Sequence, residues 1–427
     1  MAGHRWLGLA KFGFALCVGT SYAGFSQGSP QQAANTKAPP AYPRCPEQAG
    51  GPRCIDLSDG LNPYEFKAKD YQALTLPLTA NGHKASAIGL TGARSYLDDI
   101  MVGPGGELVA VGGPGLSVAT NDSRGSTWHI ATHMPFANAL RGLARVDAQT
   151  AFAVGDEAGI LRTLDAGAHW ESFNGTFSDY KDPKRSGLLL GGDDRGVAYG
   201  VAFADALHGV IVGQAGVKDS TEPGILRTSD GGQQWQRVPL TVSLDRVALQ
   251  KVAFADARNG WAVGSSGTVL HTGDAGEHWQ VTPWSDTHVH LMAVDFSGSA
   301  HGCMGGDLKV WCTWDGGKQW QPAKIELPRG VDSAPEVGIT ALRLDDAGHG
   351  WMVTRSGLIF FSADEGRQWK LWMNVVDAAH KKLDGVEVWG LALNHNHAWA
   401  VGVGSVAAPG HTETSTSSDP LIVSWSW

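Results

Sequence analysis

The stretch Val252–Trp279, VAFADARNGWAVGSSGTVLHTGDAGEHW, recurs along the chain and limits what the chain can fold into. Its first half, Val252–Gly264, returns at the same thirteen-residue length as Ile100–Gly112, Leu143–Gly155, Val201–Gly213, Val294–Gly306 and Leu342–Thr354. A copy one residue shorter stands at Leu391–Gly402. The second half, T-x-D-x-G-x-x-W, returns at Thr163–Trp170, Thr228–Trp235, Thr272–Trp279 and Thr313–Trp320. Ser362–Trp369 begins with Ser, and Thr120–Trp128 carries one extra residue between Asp122 and Gly125. Short alternating apolar runs separated by Gly, Asn and Asp turns predict an antiparallel meander.

Repetition of a four-strand unit every roughly 40–60 residues is the mark of a β-propeller. The expected fold is all-β: seven blades of four antiparallel strands. The last copy ends on Leu421–Trp425, which aligns with a third strand. A segment near residues 75–92 is therefore expected to supply the missing fourth strand and close the ring. An open ring would leave an unpaired sheet edge.

The aspartates Asp122, Asp165, Asp230, Asp274, Asp315 and Asp364 read as turn-holders, each accepting bonds from backbone N–H groups, with Gly allowing positive φ. Trp128, Trp170, Trp235, Trp279, Trp320 and Trp369 read as wedges between neighbouring sheets. Sixfold repetition argues against any of these carboxylates being one catalytic centre. His208, Asn259, His301 and His349 read as turn residues tolerant of left-handed backbone. His288 and His290 alternate onto one face of an expected inner strand, a metal-binding pattern without an identifiable third ligand. No metal or cofactor is expected.

The first residues resemble an export leader, 1–23: Arg5 and Lys11, an apolar Phe12–Gly19, and Ser21-Tyr22-Ala23 before the cut. The apolar run is too short to span a bilayer. Residues 24–44 are rich in Gln, Ser, Ala and Pro and read as a linker; 45–74 as a stapled extension; 75–427 as the propeller. Cys45 with Cys54, and Cys303 with Cys312, are each separated by eight residues. A hairpin near Asp307–Leu308 sets the second pair opposite one another, and export permits both disulfides. The net charge of −9 becomes −11 once the leader takes its two positive charges with it, which opposes nucleic-acid binding.

Connections between strands one and two, and three and four, are short and uniform. The long segments, at roughly 174–196, 214–224, 321–338, 370–388 and 403–420, all fall between strands two and three or between blades. One face is thus repetitive and the other irregular, and irregular loops on a rigid scaffold carry binding. Candidate partner contacts are Arg162 and Arg227, which share a position in Ile-Leu-Arg-Thr, and Asp193-Asp194-Arg195 in the longest insertion.

The T-x-D-x-G-x-x-W copies resemble the Asp-box, or BNR repeat, of sialidases. The fuller pattern over Gly260–Trp279, with partial matches at Gly209–Trp235, Ala151–Trp170 and Gly350–Trp369, resembles the photosystem II stability/assembly factor family. That resemblance implies a lumenal or periplasmic seven-bladed propeller without catalysis, which assists membrane subunits through a basic patch. The chain departs from the family in its long insertions, its cysteine-bearing N-terminal segment and its acidic charge. The expected function is a monomeric, non-enzymatic exported scaffold that docks a membrane-protein partner through the irregular face without entering the membrane. Its place is the periplasm, or the thylakoid lumen in a photosynthetic organism. The alternatives are a carbohydrate- or peptide-binding module using Trp284, Trp372 and Trp389, and a sialidase-like hydrolase. The F/Y-R-I-P tetrapeptide of sialidases is absent.

Overall fold

In the computed structural model the described residues are 72–427, apart from 81, 92, 94, 114–115, 121–127, 131–138, 157–158, 173–195, 218–219, 245, 284–285, 287, 328–337, 381 and 408–418. They form seven antiparallel blades. Blade one is Tyr96–Val102, Leu108–Gly113, Leu116–Thr120 and Trp128–Ile130, with each strand hydrogen-bonded to the next. Blades two to six repeat that order, starting from inner strands Leu140–Arg145, Val197–Phe203, Leu249–Phe254, Ala293–Ser297 and Ile339–Leu344. The inner strand of blade seven, Leu383–Asn394, packs against that of blade one, so the ring closes.

Closure uses a hairpin rather than a single strand. His83–Thr91 pairs with Asp419–Ser426, placing Ile88 opposite Ile422, and supplies the expected fourth strand of blade seven. Gln72–Ala80 then pairs with His83–Thr91 as a fifth. Alternation explains why this outer strand stays: Leu74, Leu76 and Leu78 turn inward while Ala73, Thr75, Pro77 and Thr79 face solvent. Pro77 lacks an N–H, which an edge strand tolerates. Blade six also has five strands, because Lys324–Glu326 adds in parallel to Gln368–Asn374.

Each Asp-box tryptophan belongs to its own blade and packs on the preceding one. Trp170 lies with Val109 and Val111 of blade one, Trp235 with Phe152 of blade two, and Trp279 with Val210 and Val212 of blade three. Trp369 lies beside Cys303 and Cys312 of blade five, which are opposite one another on adjacent strands and joined by a disulfide. Cys45 and Cys54 fall outside the described residues. Trp128 seals blade one against Trp399 of blade seven.

The turns are built as follows in the box at Asp274. The Thr272 hydroxyl donates to Asp274 Oδ1 at 2.8 Å, and the backbone N–H groups of Gly276 and His278 donate to Thr272 Oγ1 and Asp274 Oδ1. Asp165, Asp230, Asp315 and Asp364 repeat this arrangement. Asp122 lies outside the described residues. The left-handed positions fall at Ala275 and Gly276 and their counterparts.

Two expectations are corrected here. His208, Asn259, His301 and His349 are not among the left-handed residues. The side chains of His208, Asn259 and His349 instead bond the aspartate that opens their own turn: Asp205, Asp256 and Asp345 respectively. His288 and His290 precede the inner strand, which begins at Ala293, and only Val289 between them is buried. The pull of Val289 and Leu291 into the core sets this segment, and no metal-ligand cluster exists among the described residues.

Candidate functional site at the channel mouth

The inner strands line the central channel, and each enters it from the face that carries the long connections. Just inside that entrance the strands carry a one-residue β-bulge. The register slips between Leu97 and Asp99, Leu140 and Gly142, Ala198 and Gly200, Leu249 and Lys251, Ile339 and Ala341, and Val388 and Gly390. The extra residues are Asp98, Arg141, Tyr199, Gln250, Thr340 and Trp389. Met292 holds the same place in blade five, where its N–H reaches Gly305 O at 2.9 Å. A bulge re-aims a side chain at the rim of a sheet. Here the repeat brings seven different residues to one ring, of which Arg141, Tyr199, Gln250, Met292 and Trp389 are partly exposed while Asp98 and Thr340 are buried.

The residue after each bulge is small in five blades, because neighbouring inner strands come close there. A Cβ on Gly142 would lie 2.9 Å from Tyr199 O, and one on Gly390 would lie 2.9 Å from Asp98 O. Blades one and four break this rule with Asp99 and Lys251. Lys251 Nζ lies 2.9 Å from Asp99 Oδ2, and Arg343 of blade six is 4.0 Å from Asp99 Oδ1. The Leu143 N–H also donates to Asp99. Asp295 of blade five accepts from Leu344 N at 2.8 Å, and burial raises its pKa against the pull of Arg343.

Above this brace sits a second cluster. Arg141 grips both oxygens of Asp156, at 3.0 and 3.2 Å, and donates to Asp98 at 3.1 Å. Burial alone would lower the pKa of Arg141, but Asp156 and Asp98 raise it, so the guanidinium is always charged. Asp98 is 8% exposed. Burial pushes its carboxyl up to about 7, with Asp99 and Asp156 adding to the shift and Arg141 and Lys251 opposing it. Tyr96 packs edge-on to Trp389 at 5.5 Å and lies under the Arg141 guanidinium at 6.0 Å. Burial raises the Tyr96 and Tyr199 pKa values, so both phenols stay protonated at neutral pH.

The opposite face spends its carboxylates on its own turns. Slight burial would raise Asp205 and Asp256, but bonds from their own turns hold both below the usual range.

Of the residues singled out from sequence, Arg162 bonds Glu171 at 2.8 Å. Arg227 donates to Ala275 O at 3.1 Å and faces Glu277, at the edge of a polar depression of about 300 Å3 that also takes in Asp230 and Arg237. Both arginines lie on third strands, away from the channel mouth. Asp193, Asp194, Arg195 and Trp284 lie outside the described residues. Trp372 packs edge-on against Trp351 at 5.1 Å, in a cluster with Phe361, Trp425 and Trp427. Of the two described tryptophans in that set, Trp389 stands at the mouth. The brace and the ring lie just before the repeat that begins at Ile100 and its counterparts, outside its alternating pattern. Two residues earlier, the columns read Asp98-Asp99, Arg141-Gly142, Tyr199-Gly200, Gln250-Lys251, Met292-Ala293, Thr340-Ala341 and Trp389-Gly390, which single out Asp99 and Lys251 at once.

Residues 193–287 match the family described as Photosynthesis system II assembly factor YCF48. The chain is 31% identical over 139 residues to the Photosystem II assembly protein Ycf48 of Synechococcus sp. (strain JA-2-3B'a(2-13)), covering 32% of this chain and 39% of that protein. It is 32% identical over 103 residues to the Photosystem II stability/assembly factor HCF136, chloroplastic, of Oryza sativa subsp. japonica, covering 23% of each. This chain is a BNR-repeat β-propeller related to the photosystem II assembly factors. The sequence matches span about two-fifths or less of those relatives' length. The fold extends further. A structure described as YCF48 bound to D1 peptide superposes with TM-score 0.53 at 14% identity, over 85% of this chain and 98% of that one. Among the described residues no helix is long and apolar enough to cross a membrane.

Proposed function

We propose that this chain is a non-catalytic, exported scaffold that docks a segment of a membrane-protein partner on the face carrying the long connections, with the channel mouth at its centre. The observation that carries this is the ring of bulge residues. An otherwise repetitive fold presents five unlike, partly exposed side chains at one rim, Arg141, Tyr199, Gln250, Met292 and Trp389, while the other rim uses its polar groups on itself. Rigid placement of varied side chains on a scaffold suits recognition of a specific partner. The partial relation to photosystem II assembly factors, and the peptide named in the YCF48 structure, support a polypeptide as the bound species. The leader-like residues 1–23 support export.

The test is site-directed photo-crosslinking in an exporting host. A crosslinker replacing Tyr199 at the mouth should capture a membrane protein. One replacing Gln319, on the turn of blade five, should capture none. Capture of soluble glycans alone, or equal capture from both positions, would sink the docking assignment.

A further inference from the structure

Asp384 and Gly385 differ from the other Asp–Gly pairs of the chain. The sequence holds four such pairs, and Asp230–Gly231, Asp315–Gly316 and Asp384–Gly385 lie among the described residues. The first two belong to Asp-boxes, where carboxylate and glycine are both tied down. Asp230 Oδ1 accepts from the Thr228 hydroxyl at 2.8 Å and from Gln234 N–H at 2.9 Å, while Gly231 N–H donates to Leu207 O at 2.9 Å. Asp315 Oδ1 likewise accepts from Thr313 and Gln319, and Gly316 N–H donates to Ala300 O at 2.9 Å. At the third pair the glycine N–H turns to its own neighbour: Gly385 N lies 2.7 Å from Asp384 Oδ1. The inner strand of blade seven slips its register here. Asp384 is opposite Ser405 and Glu387 is opposite Val403, so Gly385 and Val386 bulge from the ladder. Val386 lies over Gly357, but Gly385 is exposed, sits at φ +59°, and would have no atom within 4 Å of a Cβ.

We propose that Asp384 is a site of spontaneous isoaspartate formation. The Gly385 nitrogen attacks Asp384 Cγ, its proton and the carboxyl hydroxyl leave as water, and a five-membered succinimide closes. Water then adds at the former main-chain carbonyl and breaks its bond to the nitrogen. The chain afterwards runs through Cγ, and the former main-chain carbonyl becomes a free α-carboxylate. The water lost in the first step is regained in the second, so no further reagent is consumed. Ring closure requires nitrogen and Cγ to be held close together. The Gly385–Oδ1 bond already places the nitrogen beside the carboxyl it attacks, and glycine brings no side chain against the closing ring and tolerates positive φ. The Asp-boxes withhold the same chemistry, since Gly231 and Gly316 are bonded to other carbonyls. At Asp315 the Gln319 N–H lowers the carboxyl below its usual range, against slight burial and with help from the Thr313 hydroxyl, and an ionised carboxylate is a poor target for attack. The product adds one methylene to the main chain between Leu383, which is buried, and Trp389 at the channel mouth. The modification is independent of what docks on that face.

The experiment holds the intact chain at pH 6 and 37 °C for several weeks, beside a second sample unfolded in guanidinium chloride. Both are digested and mapped by mass spectrometry with electron-transfer fragmentation, which locates isoaspartate residue by residue. An unchanged peptide mass separates it from deamidation of asparagine. In the folded chain isoaspartate should accumulate at position 384 at least tenfold faster than at 230 and 315. In guanidinium chloride the three positions should differ by less than threefold, which shows that the fold makes the selection. Gly385→Ala, checked for folding by near-ultraviolet circular dichroism, should slow accumulation at 384 at least fivefold. The comparison with guanidinium chloride needs no variant and decides the question even where that substitution fails to fold. Folded-chain accumulation at 230 or 315 as fast as at 384 would overturn the assignment. So would a folded chain free of isoaspartate at 384 when the unfolded sample carries it at all three positions.

Discussion

Lys251 Nζ and Asp99 Oδ2 lie 2.9 Å apart although 152 residues separate them in the chain. They belong to blades four and one, three places apart around a ring of seven, so the bond crosses the channel. With Arg343 of blade six 4.0 Å from the same carboxylate, one aspartate ties three blades together. Asp99 is only 3% exposed, so its carboxyl oxygens depend on these partners rather than on water.

Removing Lys251 takes a partner from a buried carboxyl. Lys251→Met should destabilise the fold by about 3 kcal/mol, the lower end for a broken buried pair because the Lys251 side chain is 21% exposed. Adding Asp99→Asn should recover part of the loss. Urea denaturation of the two single variants and the double variant measures the coupling, and additive effects would show that the pair does not act as a brace.

Trp279 is 3% exposed, is packed against blade three, and donates its indole N–H to Gly276 O at 3.1 Å. Trp279→Ala should cost about 3–5 kcal/mol through the lost burial and the cavity left between blades. A melting curve unchanged from wild type would contradict the wedge role.

The closing hairpin makes a separate prediction. His83–Thr91 buries Ala87, Ile88 and Leu90 and covers the edge of Asp419–Ser426. A chain lacking residues 72–91 exposes that edge and should aggregate or unfold, since bare edges template pairing between molecules. Size-exclusion chromatography of this truncation reads the outcome directly. A monodisperse, fully folded product would show that closure does not need the hairpin.

Two carboxyls set opposite pH trends. Burial raises Asp98 to about 7 from an ordinary 3.8, so the folded state holds that proton more tightly than the unfolded chain. Its contribution to stability is therefore lost as pH rises from about 4 to about 7. For Asp274, burial would raise the carboxyl, but bonds from the His278 backbone, the His278 ring and Thr272 lower it to about 2. Its contribution is present above about 4 and is lost as pH falls toward 2. Chemical denaturation across pH 2–8 should show Asp98→Asn flattening the upper limb and Asp274→Asn the lower. If each variant kept the wild-type slope in its own window, these carboxyls would not be responsible.

The blades and their turns could be read without coordinates because their physics is local. An Asp-box closes through bonds between Thr272, Asp274, Gly276 and His278, which are near neighbours in the chain. Strand alternation likewise shows within a few residues, and the six thirteen-residue copies with the shorter seventh set the count of blades. Tertiary structure decided the rest. The second N-terminal strand, the parallel addition of Lys324–Glu326 and the loss of His288 and His290 from the inner strand all depend on which surfaces remain uncovered once the blades assemble. The meeting of Asp99, Lys251 and Arg343, and the gathering of Asp98, Arg141 and Trp389 at one mouth, depend on ring closure. Residues far apart in the chain share a charge network only after closure brings them within a few ångströms, and no short-range pattern carries that information.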